Sequence, residues 1–161
     1  MFAINLANIK VAIFDFDDTL AVHRNREYSV NRDNSYFIKA RLNPAIFYTT
    51  IEPCYVLPEM LKVTERCREI GAVMYCLSGM RCSLHAEAKK AYIEQNYGDD
   101  IELVMAKSQE MKLEVISMLR EIHKCNANEI LYIDDNVENI VNAEKEGYVA
   151  VDVKHIAEIV I

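Results

Sequence analysis

A short apolar run that ends in a cluster of carboxylates constrains this chain more than any other feature. Residues 11–14 read Val-Ala-Ile-Phe and lead directly to Asp15, Asp17 and Asp18, with Thr19 next. Such a run, rich in β-branched residues, is typical of a buried strand in a parallel sheet. Open parallel sheets bind their ligands beyond the carboxyl ends of the strands, so the pattern places three carboxylates at the edge where ligands bind.

The acidic cluster predicts a cation site. Carboxylates that are crowded together repel one another unless a cation lies among them, and oxygen ligands suit a hard ion such as Mg2+. A plain acidic turn that caps a helix is the competing interpretation, because aspartate favours turns and N-caps. A calcium-binding EF-hand loop is excluded, because Leu20 stands where that loop needs glycine and Arg26 where it needs its closing glutamate.

Strand-like and helix-like segments alternate along the rest of the chain. The predicted strands are residues 10–16, 72–77, 101–105, 129–133 and 148–153; the predicted helices include one that begins at Pro58, one over residues 83–96 and one capped by Ser108. This alternation predicts an α/β protein with three α/β/α layers, in which helices cover both faces of a Rossmann-like parallel sheet. At 161 residues the chain is expected to form a single domain over residues 1–161.

Residues 21–57 are predicted to form a small cap or flap inserted after the first strand. The segment has no clean helical or alternating period, contains Pro44 and Pro53, and carries five basic against three acidic residues. A long structureless loop in a compact domain is usually functional. Two interpretations remain open: its aromatic side chains pack on the body of the protein, or Arg24 and Arg26 face an anionic substrate from a flap.

Composition narrows the classes of protein. A net charge of −7 argues against a nucleic-acid-binding surface. Five cysteines without Cys-x-x-Cys spacing predict reduced thiols in a cytoplasmic protein, neither a disulfide framework nor a zinc site. Residues 1–9 lack the basic start and cleavage site of a signal peptide, and no apolar run approaches membrane-spanning length.

Polar residues follow several of the predicted strands, and together they resemble the motifs of the haloacid dehalogenase (HAD) superfamily, most of whose members are phosphatases. In chain order the matching residues are Phe14 to Leu20 for the hydrophobic-Asp-x-Asp-x-Thr motif, Ser78 after Tyr75-Cys-Leu for the second, Lys112 for the third, and Asp134 with Asp135 for the acidic fourth. The resemblance covers residues 10–153 apart from the insert. It implies a HAD-type catalytic domain.

The resemblance implies a phosphatase that works through an aspartyl-phosphate. Asp15 would attack phosphorus, and Asp17 would protonate the leaving oxygen and later take a proton from water. Family dehalogenases and ATPases lack this second aspartate, so Asp17 favours hydrolysis of phosphate esters. The metal would be Mg2+, held by Asp15, Asp135 and the main-chain carbonyl of Asp17. Asp134 would belong to the metal site as well, either through a bridging water or by contacting the direct ligands.

The resemblance also implies a set of phosphate-binding groups. The residues expected to bind substrate are Thr19, Arg24, Arg26, Ser78, Gly79 and Lys112. Ser78 would donate a hydrogen bond to one phosphoryl oxygen, and Lys112 would hold charge on another. Lys107 is an alternative to Lys112, because it directly follows a predicted strand.

The insert is too small for the helical cap of many relatives, so the chain is expected to be a minimally capped member with an open site. Its substrate would be a small or medium-sized phosphorylated molecule, with no membrane or nucleic-acid partner; assembly into a homo-oligomer stays open. A phosphotransferase of the same superfamily is an alternative. A receiver domain or a silent binding module is disfavoured, because no lone aspartate ends the middle strand and every essential carboxylate is present.

Overall fold

A computed structural model describes residues 4–23, 34–79 and 83–160 of the chain. Its strands are β1 (Ile4–Asn5), β2 (Val11–Phe14), β3 (Val22–His23), β4 (Cys54–Tyr55), β5 (Val73–Gly79), β6 (Ile101–Ala106), β7 (Ile130–Asp134), β8 (Val149–Asp152) and β9 (Ile159–Val160). Its α-helices are α1 (Asn34–Leu42), α2 (Pro58–Glu69), α3 (Ser83–Tyr97), α4 (Lys112–His123) and α5 (Val137–Lys145).

Five of these strands form a parallel sheet in the order β6-β5-β2-β7-β8, with β2 at its centre. The register pairs Phe14 with Cys76 on one side and with Ile133 on the other, so the residues that follow these three positions lie side by side. The segments that follow Phe14, Cys76 and Ile133 therefore meet at one edge, where the motif residues were expected to converge. The remaining strands form two short pairs, β1 with β9 and β3 with β4.

The central strand is buried on both faces, as its continuous apolar run predicts. Ala12 and Phe14 pack into a core covered by α2 and α3, while Val11 and Ile13 face a second core under α4 and α5. All four side chains are fully buried, and full burial of a Val, Ile or Phe side chain contributes about 1.5–3 kcal/mol. The predicted three-layer α/β/α fold is thereby confirmed.

The predicted start of α4 is wrong, and so is part of the inward stripe that its apolar spacing predicts, namely Met111, Val115, Met118, Leu119 and Ile122. The helix begins at Lys112, after a turn, and is not capped by Ser108. Its buried side chains are Lys112, Ile116 and Leu119, whereas Met118 and Ile122 are 60% and 66% exposed. Because Lys112 turns inward to meet carboxylates, it sets a rotation of the helix that apolar spacing alone does not reveal.

The described part of the insert is mostly helical, which contradicts the expectation of a structureless segment. Helix α1 is followed by a 3-10 turn at Pro44–Ile46 and a π-helical turn at Phe47–Ile51, and the β3–β4 pair ties the two ends of the insert together. Phe47 and Tyr48 are buried, and the Tyr48 ring packs edge-on against Phe16 at a centroid distance of 4.9 Å. Burial of these aromatic rings stabilises helical turns that the weak apolar periodicity of the segment does not predict.

In the part of the chain that the structure describes, no helix combines the length and the apolar character needed to cross a membrane. Cys67, Cys76 and Cys125 are free thiols in that part of the chain, and Sγ of Cys54 lies 3.5 Å from Nδ1 of His23. Cys82 lies outside the described residues.

Candidate active site

A tight loop after β2 presents the first two aspartates at the sheet edge. The amide of Asp15 continues the ladder by donating to the carbonyl of Ile133 at 2.8 Å. Asp18 then adopts a left-handed conformation, with φ 61°, which aspartate tolerates better than most residues. Its carboxylate accepts from the amide of His23 at 3.1 Å, so Asp18 stabilises the turn while Asp15 and Asp17 remain at the edge.

Three carboxylates from two strand ends lie together. Oxygens of Asp15, Asp134 and Asp135 all lie within 4.8 Å of one another. Burial raises the pKa of Asp15 to about 6. The charge of Lys112 opposes this shift, whereas the charges of Asp134 and Asp17 add to it. Burial and the charges of Asp15 and Asp134 raise the pKa of Asp135 to about 7. The folded protein thus resists ionisation of two carboxyl groups that a bound cation would stabilise.

The ammonium of Lys112 lies between two of these carboxylates. Its Nζ is 2.6 Å from Oδ1 of Asp15 and 2.9 Å from Oδ2 of Asp134, and the side chain is almost fully buried. Burial alone would lower the pKa of this lysine, but the two carboxylates outweigh that effect and raise it. Lys107, the alternative from the sequence, is exposed.

The carboxylate of Asp134 is fully buried and already has several hydrogen-bond donors. Its Oδ1 accepts from the amide of Asn136 at 2.8 Å. Its Oδ2 accepts from the hydroxyl of Tyr132, from Nδ2 of Asn139 at 3.0 Å and from Lys112. These donors fix its orientation and leave its oxygens less available to a cation than those of its neighbours.

Ser78 and Asp17 are joined by a residue that sequence reasoning missed. Nζ of Lys89, on α3, donates to Oδ2 of Asp17 at 2.7 Å and to Oγ of Ser78 at 2.6 Å, and Lys89 is only 1% exposed. Nε2 of His23 lies 3.6 Å from the other oxygen of Asp17. Asp17 is therefore flanked by two basic side chains, neither of which was among the predicted site residues.

A weak signal in the sequence marks Lys89. It lies four residues after His85 and four before Ile93, both buried on the inward face of α3. A lysine that shares a helix face with buried residues needs a partner in the interior. Because Lys90 follows directly, however, the two lysines look like ordinary solvent-exposed residues in the sequence.

The remaining predicted substrate residues differ in what the structure says of them. Thr19 is fully buried, and its Oγ1 has no hydrogen-bond partner among the described residues. Gly79 ends β5, where an added Cβ would lie 3.3 Å from the side-chain nitrogen of Gln109. Arg24 and Arg26 lie outside the described residues, so their expected role stays a prediction.

The residues present fit a hard divalent cation. The donors are carboxylate oxygens, which Mg2+ prefers. Burial and, after it, the neighbouring carboxylates raise the pKa values of Asp15 and Asp135, although Lys112 lowers both. The carboxylates best able to accept a cation are those of Asp15 and Asp135, because Asp134 is engaged by its four donors.

The fold defines the chain as an α/β protein with a central parallel sheet and a polar cluster at the carboxyl ends of its strands. More specifically, it is the fold of the HAD enzymes, as the sequence resemblance implied. An enzyme described as a HAD family member from Bacteroides thetaiotaomicron, solved with magnesium and inorganic phosphate, matches with a TM-score of 0.52 and 18% identity, over 89% of this chain and 93% of that one.

Two further solved structures share this architecture. A haloacid dehalogenase-like hydrolase from Xanthomonas campestris matches with a TM-score of 0.57 and 12% identity, over 90% of this chain and 81% of that one. A structure described as a dehalogenase gives 0.55 and 14%, over 89% and 84%. The chain matches no model of a known protein family, and it matches no curated protein. At such low identity these likenesses establish the fold and no more.

Proposed function

We propose that this protein is a magnesium-dependent phosphatase that hydrolyses a phosphate monoester through an aspartyl-phosphate on Asp15. The observation that carries the proposal is the contact of Lys112 with Asp15, at 2.6 Å, beside the cluster of three carboxylates. A buried nucleophilic carboxylate, a buried cation and a candidate metal site within one edge are the parts that phosphoryl transfer needs. A HAD-fold enzyme solved with magnesium and phosphate supports the same chemistry.

In the first step, an oxygen of Asp15 forms a bond to phosphorus while the bond from phosphorus to the leaving oxygen breaks. Asp17 gives its proton to that leaving oxygen. Lys112 holds charge on the phosphoryl group, and the hydroxyl of Ser78 donates to another phosphoryl oxygen. The carboxylates of Asp15 and Asp135, with the main-chain carbonyl of Asp17, would hold Mg2+, which when bound neutralises charge between nucleophile and phosphate.

In the second step, water attacks phosphorus and the bond from phosphorus to the Asp15 oxygen breaks. Asp17 takes a proton from the water and is again the protonated acid that the next first step requires. Asp134 serves this cycle by orienting Lys112, with which it shares a 2.9 Å contact. Its other donors, Asn136 among them, keep it in place.

A dehalogenase is the competing proposal, because one structure of this fold carries that description. Dehalogenation needs a nucleophilic aspartate but no acid to protonate a halide. The carboxylate of Asp17, built into the site by Lys89 at 2.7 Å, favours an oxygen leaving group that must be protonated. A phosphotransferase would use the same residues with an alcohol in place of water.

The test is hydrolysis of an aryl phosphate with Mg2+ and with EDTA, for the parent protein and for Asp15→Asn. We expect magnesium-dependent turnover in the parent and a loss of at least about 10³-fold in the variant, the scale on which loss of a nucleophile is felt. Asp99→Asn, an exposed aspartate on the same protein, is the matched control and should turn over like the parent. Equal rates for Asp15→Asn and the parent would refute the proposal.

A further inference from the structure

Lys89 is a buried cation that the proposed reaction leaves without a role. Its side chain is 1% exposed, and it is held between the carboxylate of Asp17 and the hydroxyl of Ser78. Its Nζ also lies 4.9 Å from the centre of the Phe16 ring. Withdrawing an ammonium from water is costly, and a carboxylate together with an aromatic face offsets that cost.

The contact with Ser78 determines where its hydroxyl proton can point. An ammonium only donates hydrogen bonds, so Lys89 occupies a lone pair of the Ser78 oxygen. The proton of Ser78 must then be directed to another acceptor. Among the described residues, the acceptor paired with this hydroxyl is the carbonyl of Gly79 at 3.5 Å, which is at the limit of a hydrogen bond. The hydroxyl is thus prepared to donate to an incoming anionic oxygen.

The contact with Asp17 limits the rotation of its carboxylate. One oxygen accepts from Lys89 at 2.7 Å, while the other faces Nε2 of His23 at 3.6 Å. A charge-assisted hydrogen bond of this length is strong and directional. Both partners of Lys89 are therefore oriented by the same ammonium.

The helix that carries Lys89 is itself fixed to the insert. His85, one turn earlier on α3, makes a 2.6 Å hydrogen bond with the hydroxyl of Tyr48, and the two rings are stacked. Tyr48 packs in turn on Phe16, the residue between Asp15 and Asp17 in the sequence. The position of Lys89 relative to that loop is thereby set from two sides.

We propose that Lys89 is a positioning residue that orients Asp17 for proton transfer and directs the Ser78 hydroxyl toward the phosphoryl group. The inference rests on the proposed phosphatase function and adds a residue to it. Substrates whose leaving oxygen needs a proton depend on Lys89 more than substrates with a strongly acidic leaving group, because only the former require Asp17 in the correct orientation.

The kinetic test compares an alkyl phosphate with a dinitrophenyl phosphate in Lys89→Met. We expect kcat/KM to fall by about 10²-fold or more on the alkyl ester, the usual contribution of general acid–base catalysis, and much less on the aryl ester. Lys89→Arg should recover part of the loss on the alkyl ester. Lys90→Met is the matched control, since Lys90 is 68% exposed and pairs with Glu94 on the helix surface. Equal losses on both esters would mean that Lys89 does not orient Asp17 for proton transfer and would overturn the inference.

A thermal double-mutant cycle tests the same contact without activity. Lys89→Met should lower Tm because it leaves the Asp17 carboxylate beside an apolar group, and adding Asp17→Asn should restore part of that loss. Additive losses in the double variant would overturn the pairing. If the parent hydrolyses no phosphate ester, the proposed function fails, and the thermal cycle still decides whether Lys89 orients Asp17. If the parent is active and Asp15→Asn is not, but Lys89→Met hydrolyses both esters like the parent, then only the inference about Lys89 is overturned.

Discussion

Replacing Asp135 with asparagine should stabilise the metal-free protein and abolish its response to Mg2+. Burial and the charges of Asp15 and Asp134 raise the pKa of Asp135 from 3.8 to about 7. In the unfolded chain the same group ionises near its ordinary value. At alkaline pH the ionised carboxylate of Asp135 therefore destabilises the folded state. The neutral amide of asparagine removes that charge.

The size of the effect follows from the shift. About three pKa units at roughly 1.4 kcal/mol each give an upper limit of about 4 kcal/mol. Because Asp135 keeps some access to solvent and part of its shift comes from the charge of Asp15, we expect about 2 kcal/mol of added stability at pH 8. Between pH 4 and pH 7 the folded state binds more protons than the unfolded state, so stability of the parent falls as pH rises through this window. The advantage of Asp135→Asn should grow over the same range and be small at pH 4.

The assay is urea unfolding at pH 5 and pH 8, with EDTA and with Mg2+. A ligand at 100 times its Kd adds about 2.7 kcal/mol to the free energy of unfolding, and this gain should appear in the parent and vanish in Asp135→Asn. The order of stability of the two proteins should therefore reverse when metal is added at pH 8. Asp99→Asn, whose carboxyl is exposed, controls for a general change in charge.

Two outcomes would refute this reasoning. If Asp135→Asn is less stable than the parent in EDTA at pH 8, the carboxylate is not under electrostatic strain in the folded state. If the variant keeps the full gain from Mg2+, the cation binds somewhere that does not involve Asp135.

The remaining predictions concern other residues near the site. Asp17→Asn should form the aspartyl-phosphate slowly and release it more slowly still, as acid-quench trapping of labelled protein would measure; turnover like the parent would contradict its acid–base role. Thr19→Val should raise the free energy of unfolding by about 1 kcal/mol, since it removes a buried hydroxyl that has no partner in the described part of the chain, yet lower kcat/KM; a destabilised variant with full activity would contradict this. Neutralising Arg24 and Arg26 should raise KM for an anionic substrate more than it lowers kcat, whereas an unchanged KM would assign the insert a structural role.

The sequence predicted the sheet because its signal is local and repeated. Each central strand contains a continuous apolar run, and residues that favour turns stand at or just after its end, as Ser78 and Asp15 do. Parallel strands buried on both faces leave few other arrangements for such runs. Strand ends were therefore predicted within one or two residues, and with them the edge at which the polar side chains meet.

The parts that could not be predicted depend on contacts between segments distant in the chain. Lys89 looks like one of two surface lysines until α3 is placed against the loop that carries Asp17, 72 residues earlier. The inward face of α4 is set by the attraction of Lys112 to carboxylates, which apolar spacing does not register. In the insert, burial of Phe47 and Tyr48 stabilises helical turns that have little periodicity of their own.

The balance of charge at the site explains why two lysines and a cation belong together. Four carboxylates, those of Asp15, Asp17, Asp134 and Asp135, converge there with the ammonium groups of two lysines. Two negative charges are left in excess, and that excess adds to burial in raising the pKa values of Asp15 and Asp135. Each lysine donates to its own pair of acceptors, and the charge of Lys112 offsets the raised pKa of Asp135 only in part. A divalent cation would supply the missing charge, and the proposed reaction requires it, because without it the edge would repel a phosphate dianion.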